Sequence, residues 1–388
     1  MKIAVFAPFP ERKDGIPRVA AELLKRFCAF DEITNISIIT PHNEGFVDPS
    51  LLTNSKVSVY PLNVVKPGDL LRLTRLYIQN DIFLSMSIPW SVPSLRAPVG
   101  GLPFIFLLSR LSFWSSSKII QVLHDFVPYL FPDDDTENKE AHKIFDNYQK
   151  YLSKIPKRYI AVSQTTKRDA AAFWHIRQEN VDVVYLGSFV QVRSPRTLFN
   201  NKRVLIVSAV APHKNHVRLL EAFEMVHQKH PDAELIIVGN IREHARSRFC
   251  SALDEVMRRN QGIKILLREY ATDEEIVSLY RGAAVFVYPS LYEGFGLPVL
   301  EAMAQGCPVI TSNVSSLPEI VGDAAVQIDP RNTTELGQAM IRVLTDDKLK
   351  REMSFKGVNR ATLFSWDTTA AKYVEVFDRV LMDKRAKD

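Results

Sequence analysis

From one end of the chain to the other, short apolar runs rich in β-branched residues alternate with longer stretches whose apolar positions recur every three or four residues. The short runs read as strands buried on both faces and the longer stretches as amphipathic helices. Their alternation is the signature of an α/β protein with parallel sheets. Strands are expected at residues 2–6, 36–40, 57–60, 81–85, 118–123, 159–162 and 181–185, then at 203–208, 234–238, 263–267, 284–288, 308–311 and 325–328. Helices are expected near residues 17–27, 136–153 and 164–174, and between the strands of the second half. Around residues 190–202 the pattern lapses into a polar, proline-containing stretch, where we place the domain linker. The expected division is residues 1–195, residues 196–365, and a C-terminal helix and tail at 366–388. That helix has no strand after it and must pack back on another element, the first domain being the candidate. Two doubly wound domains of this kind would face each other across a cleft at the carboxyl ends of their strands, where such folds bind ligands.

Composition narrows the class. With 388 residues, 46% of them hydrophobic and 24% charged, the chain suits two globular cores. Cys28, Cys250 and Cys307 are far apart and form no metal-ligand spacing, which fits a reducing compartment. The first residues run straight into a strand pattern with no signal-peptide profile, so a cytoplasmic location is expected. Residues 98–114 are apolar but broken by Gly100, Gly101 and Pro103, too short to span a bilayer. Such a segment suits a peripheral membrane contact or a buried loop wall. Of the formal charge of +5, +4 falls before residue 196. This mild surplus favours an anionic surface or a phosphate-bearing acceptor, and the absence of a basic stripe interleaved with aromatics excludes nucleic acid as the expected partner.

Several segments carry candidate chemistry. The strand at 284–288 stops at Pro289, and a loop delivers Glu293 to the start of a helix with Pro298 in its first turn. Gly294 and Gly296 let backbone approach a ligand closely, and a helix N-terminus suits a diphosphate. Glu301, about one turn inside, is placed to accept hydrogen bonds from a ribose. The plainer reading makes Glu293 a cap and Glu301 a surface residue. Lys214 follows the strand at 203–208 and would offset charge on a leaving diphosphate, unless it is simply solvated. His124 ends the strand at 118–123 as part of a His-Asp pair; it is either structural or a hydrogen-bonding partner of a hydroxyl, with Asp125 fixing its ring. Ser163 reads equally as a site residue or a helix N-cap. Asp133, Asp134 and Asp135 invite a metal reading, but acidic residues also favour the start of a helix.

The stretch from Tyr288 to Ser312, with Glu293 and Glu301 in an E-x7-E arrangement, followed by Ser316-Leu-Pro-Glu-Ile-Val-Gly-Asp-Ala-Ala325, resembles the retaining GT-B glycosyltransferases of family 4. Ala-Pro-His-Lys-Asn215 is similar to that family's Pro-Arg-Lys-Asn, and His124-Asp-Phe-Val-Pro128 to its His-Asp-x-x-Pro. The resemblance implies a GT-B fold of two Rossmann-like domains facing a deep cleft, with the donor in the second and the acceptor in the first. It implies that Glu293 and the amides of Gly294, Phe295, Gly296 and Leu297 hold the donor hexose and diphosphate, and that Glu301 holds the ribose. Lys214 would bind the phosphates together with His213, which stands where arginine is usual. His124 would lie against the donor sugar, Gly15 near the phosphate and acceptor, and Tyr270 near the nucleobase. Catalytic roles fall to His124, Glu293 and Lys214, with retention of configuration and no divalent metal or other cofactor. The motif combination is similar to mannosyltransferases of bacterial O-antigen synthesis, which makes GDP-mannose the first choice of donor; UDP-sugars and dTDP-rhamnose remain open. The expected acceptor is a saccharide or lipid-linked saccharide at the inner face of the plasma membrane. A sugar-nucleotide epimerase and a non-catalytic nucleotide-sugar-binding subunit are the competing classes.

Overall fold

The structure, a computed structural model, describes residues 1–6, 15–40, 49–61, 67–86, 118–131, 158–199 and 201–385. The helix expected at 136–153, the run Asp133, Asp134 and Asp135, and the apolar segment 98–114 lie outside the described residues. The chain divides into two compact units.

The first unit is built on one parallel sheet. Its strands are β1 (Lys2–Phe6), β2 (Asn35–Thr40), β3 (Val57–Pro61), β4 (Ile82–Ser85), β5 (Ile119–Leu123), β6 (Arg158–Ala161) and β7 (Val181–Val183), in the order β3-β2-β1-β4-β5-β6-β7. The order reverses between β1 and β4, the doubly wound arrangement. Strands β1, β2, β4 and β5 are buried almost throughout, as expected for sheets covered on both faces. Helices α1 (Gly15–Phe27), α2 (Pro49–Leu52) and α3 (Pro67–Gln79) connect the early strands. The one-turn helix α4 (Val127–Leu130) follows β5 but belongs to the second unit, while α5 (Gln164–Trp174) returns to the first. Ser163 accepts a hydrogen bond from the Thr166 N–H at 3.0 Å and caps α5, which gives it a structural role.

The second unit repeats the plan. Strands β8 (Arg203–Val207), β9 (Glu234–Val238), β10 (Lys264–Arg268), β11 (Val285–Tyr288), β12 (Val309–Ser312) and β13 (Val326–Ile328) lie in the order β10-β9-β8-β11-β12-β13, all parallel. The edge strand β10 alternates exposed and half-buried residues, whereas the central β11 is fully buried. Helices α6 (His216–Lys229), α7 (Glu243–Arg259), α8 (Asp273–Gly282), α9 (Leu297–Ala304), α10 (Leu317–Val321), α11 (Thr333–Thr345) and α12 (Asp347–Ala361) complete it. The switch of strand order lies between β8 and β11, so the loops after these two strands meet at the sheet's carboxyl edge.

The units divide between Gly187 and Ser188 rather than at residue 195. Hydrogen bonds explain the difference. Arg193 N–H donates to Ala304 O, Gln305 to Gln191 O, and Arg196 to Ser354 Oγ and Ala283 O, fastening this extended stretch to the second unit. The last helix, α13 (Trp366–Arg385), belongs to the first unit. Phe27 of α1 meets Tyr373 and Phe377 of α13 at ring-centroid distances of 6.1 and 5.6 Å. Arg26 pairs with Asp367 at 2.9 Å, and Thr369 donates to Tyr185 O at 2.8 Å.

Candidate functional site

The loops at the switch point of the second unit assemble a charged site. After β8 the chain makes a 3-10 turn over Pro212–Lys214 and enters α6 through Asn215, whose φ of 65° is left-handed. Asn215 locks the turn by donating through its side-chain amide to Pro289 O at 3.0 Å and Pro330 O at 2.7 Å. The Leu291 N–H donates to His213 O at 2.7 Å, fastening the turn to the loop after β11. These bonds bring Lys214 beside Glu293, with Nζ at 2.7 Å from Glu293 Oε1 and 3.2 Å from the Tyr288 hydroxyl.

Both members of the pair are largely removed from water, with side-chain exposures of 17% for Lys214 and 11% for Glu293. Burial alone would discharge each of them. On Lys214 the opposing pull of the Glu293 carboxylate and Tyr288 wins, and its pKa lies above the ordinary lysine value. On Glu293 burial is likewise overcome, by Lys214, His213 and hydrogen bonding, and its pKa lies below the ordinary glutamate value. The pair is therefore ionic. A lysine ammonium carries three N–H donors. Two face Glu293 and Tyr288, which leaves the third without a partner among the described residues.

The Glu293 loop is pinned from the other side. Its N–H donates to Ser315 Oγ at 3.1 Å, and Ser316 Oγ donates to Glu293 O and Phe295 O at 2.9 and 2.8 Å. Gly296 closes the loop with φ of 108°, and a Cβ there would lie 2.8 Å from Leu317 Cδ2. It starts α9, an eight-residue helix with no side-chain cap, and the Gly296 and Leu297 N–H groups donate to no described group. Uncapped amides and the positive dipole end favour negative charge at this position. The Phe295 ring turns inward against Phe364 at 6.1 Å, so only its backbone is at hand.

Glu301, on the same helix, is buried at 8% exposure and accepts a hydrogen bond from the Tyr280 hydroxyl at 3.1 Å. Burial and the Glu301 charge push the Tyr280 phenol well above its usual pKa, so it remains a donor. The alternative of Glu301 as a surface residue is thus corrected: α9 is central and apolar, and its carboxylate points into the unit.

The remaining candidates sit as follows. The His213 ring lies 5.7 Å from that of Phe131. Tyr270 is 69% exposed, just before α8, whose Thr272–Glu275 capping box is complete. His124 belongs to the first unit, at the end of β5. Its Nε2 lies 2.7 Å from Met86 O. A carbonyl can only accept, so Nε2 carries the proton and Nδ1 is the acceptor. The Met86 carbonyl fixes the ring through Nε2; burial lowers the His124 pKa against the Met86 bond and Asp125, leaving the ring neutral. Gly15 is the first residue of α1, where a Cβ would meet nothing within 4 Å, so its described surroundings do not demand glycine. The roles of Tyr280, Tyr288 and Asn215 escaped sequence reasoning, although Asn215 ends the Pro-His-Lys-Asn segment and Tyr288 ends β11 at the switch point. Among the described residues no cluster of His, Cys, Asp or Glu could hold a metal ion, and no helix is long and apolar enough to cross a membrane.

A doubly wound domain that offers a lysine, an uncapped helix N-terminus and two buried carboxylates at its switch point presents donors for an anion beside acceptors for hydroxyls. Residues 193–360 match the family Glycosyl transferases group 1. The O-antigen chain mannosyltransferase B of Escherichia coli is 26% identical over 397 residues, covering 97% of this chain and 99% of that enzyme. The serotype-specific mannosyltransferase WbdA of Escherichia coli is 25% identical over 294 residues; the match takes in 70% of this chain but spans only about a third, 34%, of WbdA. Among solved structures, Anabaena Alr3699/HepE in complex with UDP and glucose is 17% identical, with a TM-score of 0.71 and coverage of 98% of this chain and 100% of that one. The fold is that of the GT-B glycosyltransferases, with two Rossmann-like domains.

Proposed function

We propose that the protein is a glycosyltransferase that moves a hexose from a nucleotide sugar to a hydroxyl of a saccharide or lipid-linked saccharide in surface polysaccharide synthesis. The observation that carries this reading is the Lys214–Glu293 ion pair beside the uncapped start of α9, at the switch point of a doubly wound sheet. The third Lys214 N–H and the Gly296 and Leu297 amides receive the diphosphate, Glu293 and the loop backbone meet the hexose, and Glu301 meets the ribose. Tyr270 is the proposed neighbour of the base, His124 acts on the sugar or its acceptor, and the first unit serves the acceptor.

In the transfer, the bond from the anomeric carbon to the diphosphate oxygen breaks and a bond to the acceptor oxygen forms. The acceptor proton passes to the leaving diphosphate, on the same face, with retention of configuration. Lys214 and the helix dipole offset the charge that builds on the leaving group, without a metal ion. Mannose from GDP-mannose is the proposed donor, on the strength of the mannosyltransferase relatives. A UDP-sugar is the second reading, favoured by a fold neighbour that binds UDP and glucose.

A thermal-shift screen of GDP-, UDP- and dTDP-sugars tests the donor, because a ligand of the native state raises its apparent stability. GDP-mannose is expected to give the largest shift, and labelled mannose to reach a lipid-linked saccharide in the presence of EDTA. Turnover of the donor to an epimer without acceptor would replace the transferase reading. Binding without transfer to any acceptor pool would reduce the protein to a nucleotide-sugar-binding subunit.

A further inference from the structure

The two functional side chains of the donor site are joined beneath the surface by an aromatic column. The Tyr280 ring on α8 packs edge-on against Phe286 of β11 at 5.3 Å, and Phe286 stacks on Tyr288 at 5.7 Å with an interplanar angle of 19°. Phe286 and Tyr288 are two apart on one strand and so share a face of the sheet. All three rings are buried. Phenylalanine would fill these positions as well, and a buried hydroxyl costs stability unless it is bonded. The two hydroxyls at the ends of the column have different partners. Tyr280 donates to Glu301 Oε2 at 3.1 Å, and the Tyr288 hydroxyl accepts from Lys214 Nζ at 3.2 Å.

We infer that Tyr280 and Tyr288 are positioning residues with separate tasks: Tyr280 aims Glu301 at the ribose hydroxyls, and Tyr288 aims the Lys214 ammonium at the diphosphate. This rests on the donor-site reading above and extends it to two residues that touch no ligand themselves. Glu301 sits on a buried helix face. The phenol holds one carboxylate oxygen, and its loss would relax the aim of the carboxylate at a ribose diol. Lys214 has a flexible stem, and Tyr288 together with Glu293 restricts it to a single direction.

The test crosses two variants with two ligand differences. Affinities of the full chain, wild type, Tyr280→Phe and Tyr288→Phe, are measured by calorimetry for GDP, 2′-deoxy-GDP and GMP, and in parallel for UDP, 2′-deoxy-UDP and UMP. One well-formed hydrogen bond to a charged group corresponds to about tenfold in affinity. Tyr280→Phe is expected to reduce the preference for ribose over 2′-deoxyribose by about that factor and to leave the preference for diphosphate over monophosphate within about twofold. Tyr288→Phe is expected to do the reverse. A uniform loss for all ligands in both variants, or no loss in either, would overturn the inference while leaving the donor site intact. A wild-type protein that binds none of the diphosphates would remove the donor-site reading and this extension with it.

Discussion

Replacing Lys214 with methionine removes the ammonium but keeps an apolar stem of similar length, so Glu293 loses its nearest cation without a large cavity. Removing one partner of a buried ion pair costs about 3–5 kcal/mol, because the remaining charge stays buried and uncompensated. The residual exposures of 17% and 11% place this pair at the lower end, about 3 kcal/mol. The loss has a pH signature. In the wild type the folded pKa of Glu293 lies below its unfolded value of about 4.3, so its contribution is fully present above that pH and is lost as pH falls through the folded pKa. In Lys214→Met, burial is no longer overcome by the lysine, and the folded pKa rises above the unfolded one. The contribution then changes sign: stability is greatest when Glu293 is protonated and falls as pH rises through the new folded value. The deficit of the variant should therefore shrink on acidification from pH 8 to 5. Urea unfolding of wild type, Lys214→Met, Glu293→Gln and the double variant across that range gives both the slope and the coupling energy. A single variant within about 0.5 kcal/mol of wild type, with a parallel pH profile, would refute the ionic-pair argument.

Gly296→Ala forces a side chain to φ 108° and sets its Cβ against Leu317, with an expected cost of about 1–3 kcal/mol and weakened donor binding. Adding Leu317→Ala relieves the contact but not the dihedral, so chemical denaturation should show only partial recovery. Phe377→Ala opens a cavity where α13 meets α1 and should destabilise the first unit by about 3–5 kcal/mol, read from its unfolding transition, with donor affinity of the second unit unchanged. His124→Ala should lower transfer about a hundredfold, measured as initial rates. Because burial holds the wild-type ring neutral, its pH–rate profile should show no inflection from His124 near pH 6.5, and an inflection that vanishes in the variant would contradict this.

The alternating pattern located all thirteen described strands to within about two residues, because strands buried on both faces are continuous apolar runs and the intervening glycine and proline stop them. Helix α5 matches its expected span, and Pro298 in the first turn of α9 was readable as sequence. The linker was less legible. The polarity of residues 190–202 reads as a free connection, yet hydrogen bonds of Gln191, Arg193 and Arg196 to residues distant in sequence bind it to the second unit. Within the site, Lys214 and Glu293 were individually visible, but their pairing was not: residues 79 apart meet only through the switch of strand order and the Asn215 and His213 bonds. Tyr280 and Tyr288 were invisible for a related reason, since a buried tyrosine on a helix or strand looks like core until its hydroxyl is found to have a partner.

The return of α13 to the first unit has a consequence for synthesis. On the ribosome, domains usually complete themselves in order from the N-terminus. Here the helix that covers Phe27 is made only after Ser188–Ser365 have been translated, a delay of roughly 10–35 seconds at about 5–20 residues per second. The later-made unit has all its own residues by then, whereas the earlier one waits with the Phe27 face of α1 uncovered. Nascent chains arrested before α13 should therefore be the form most in need of a chaperone.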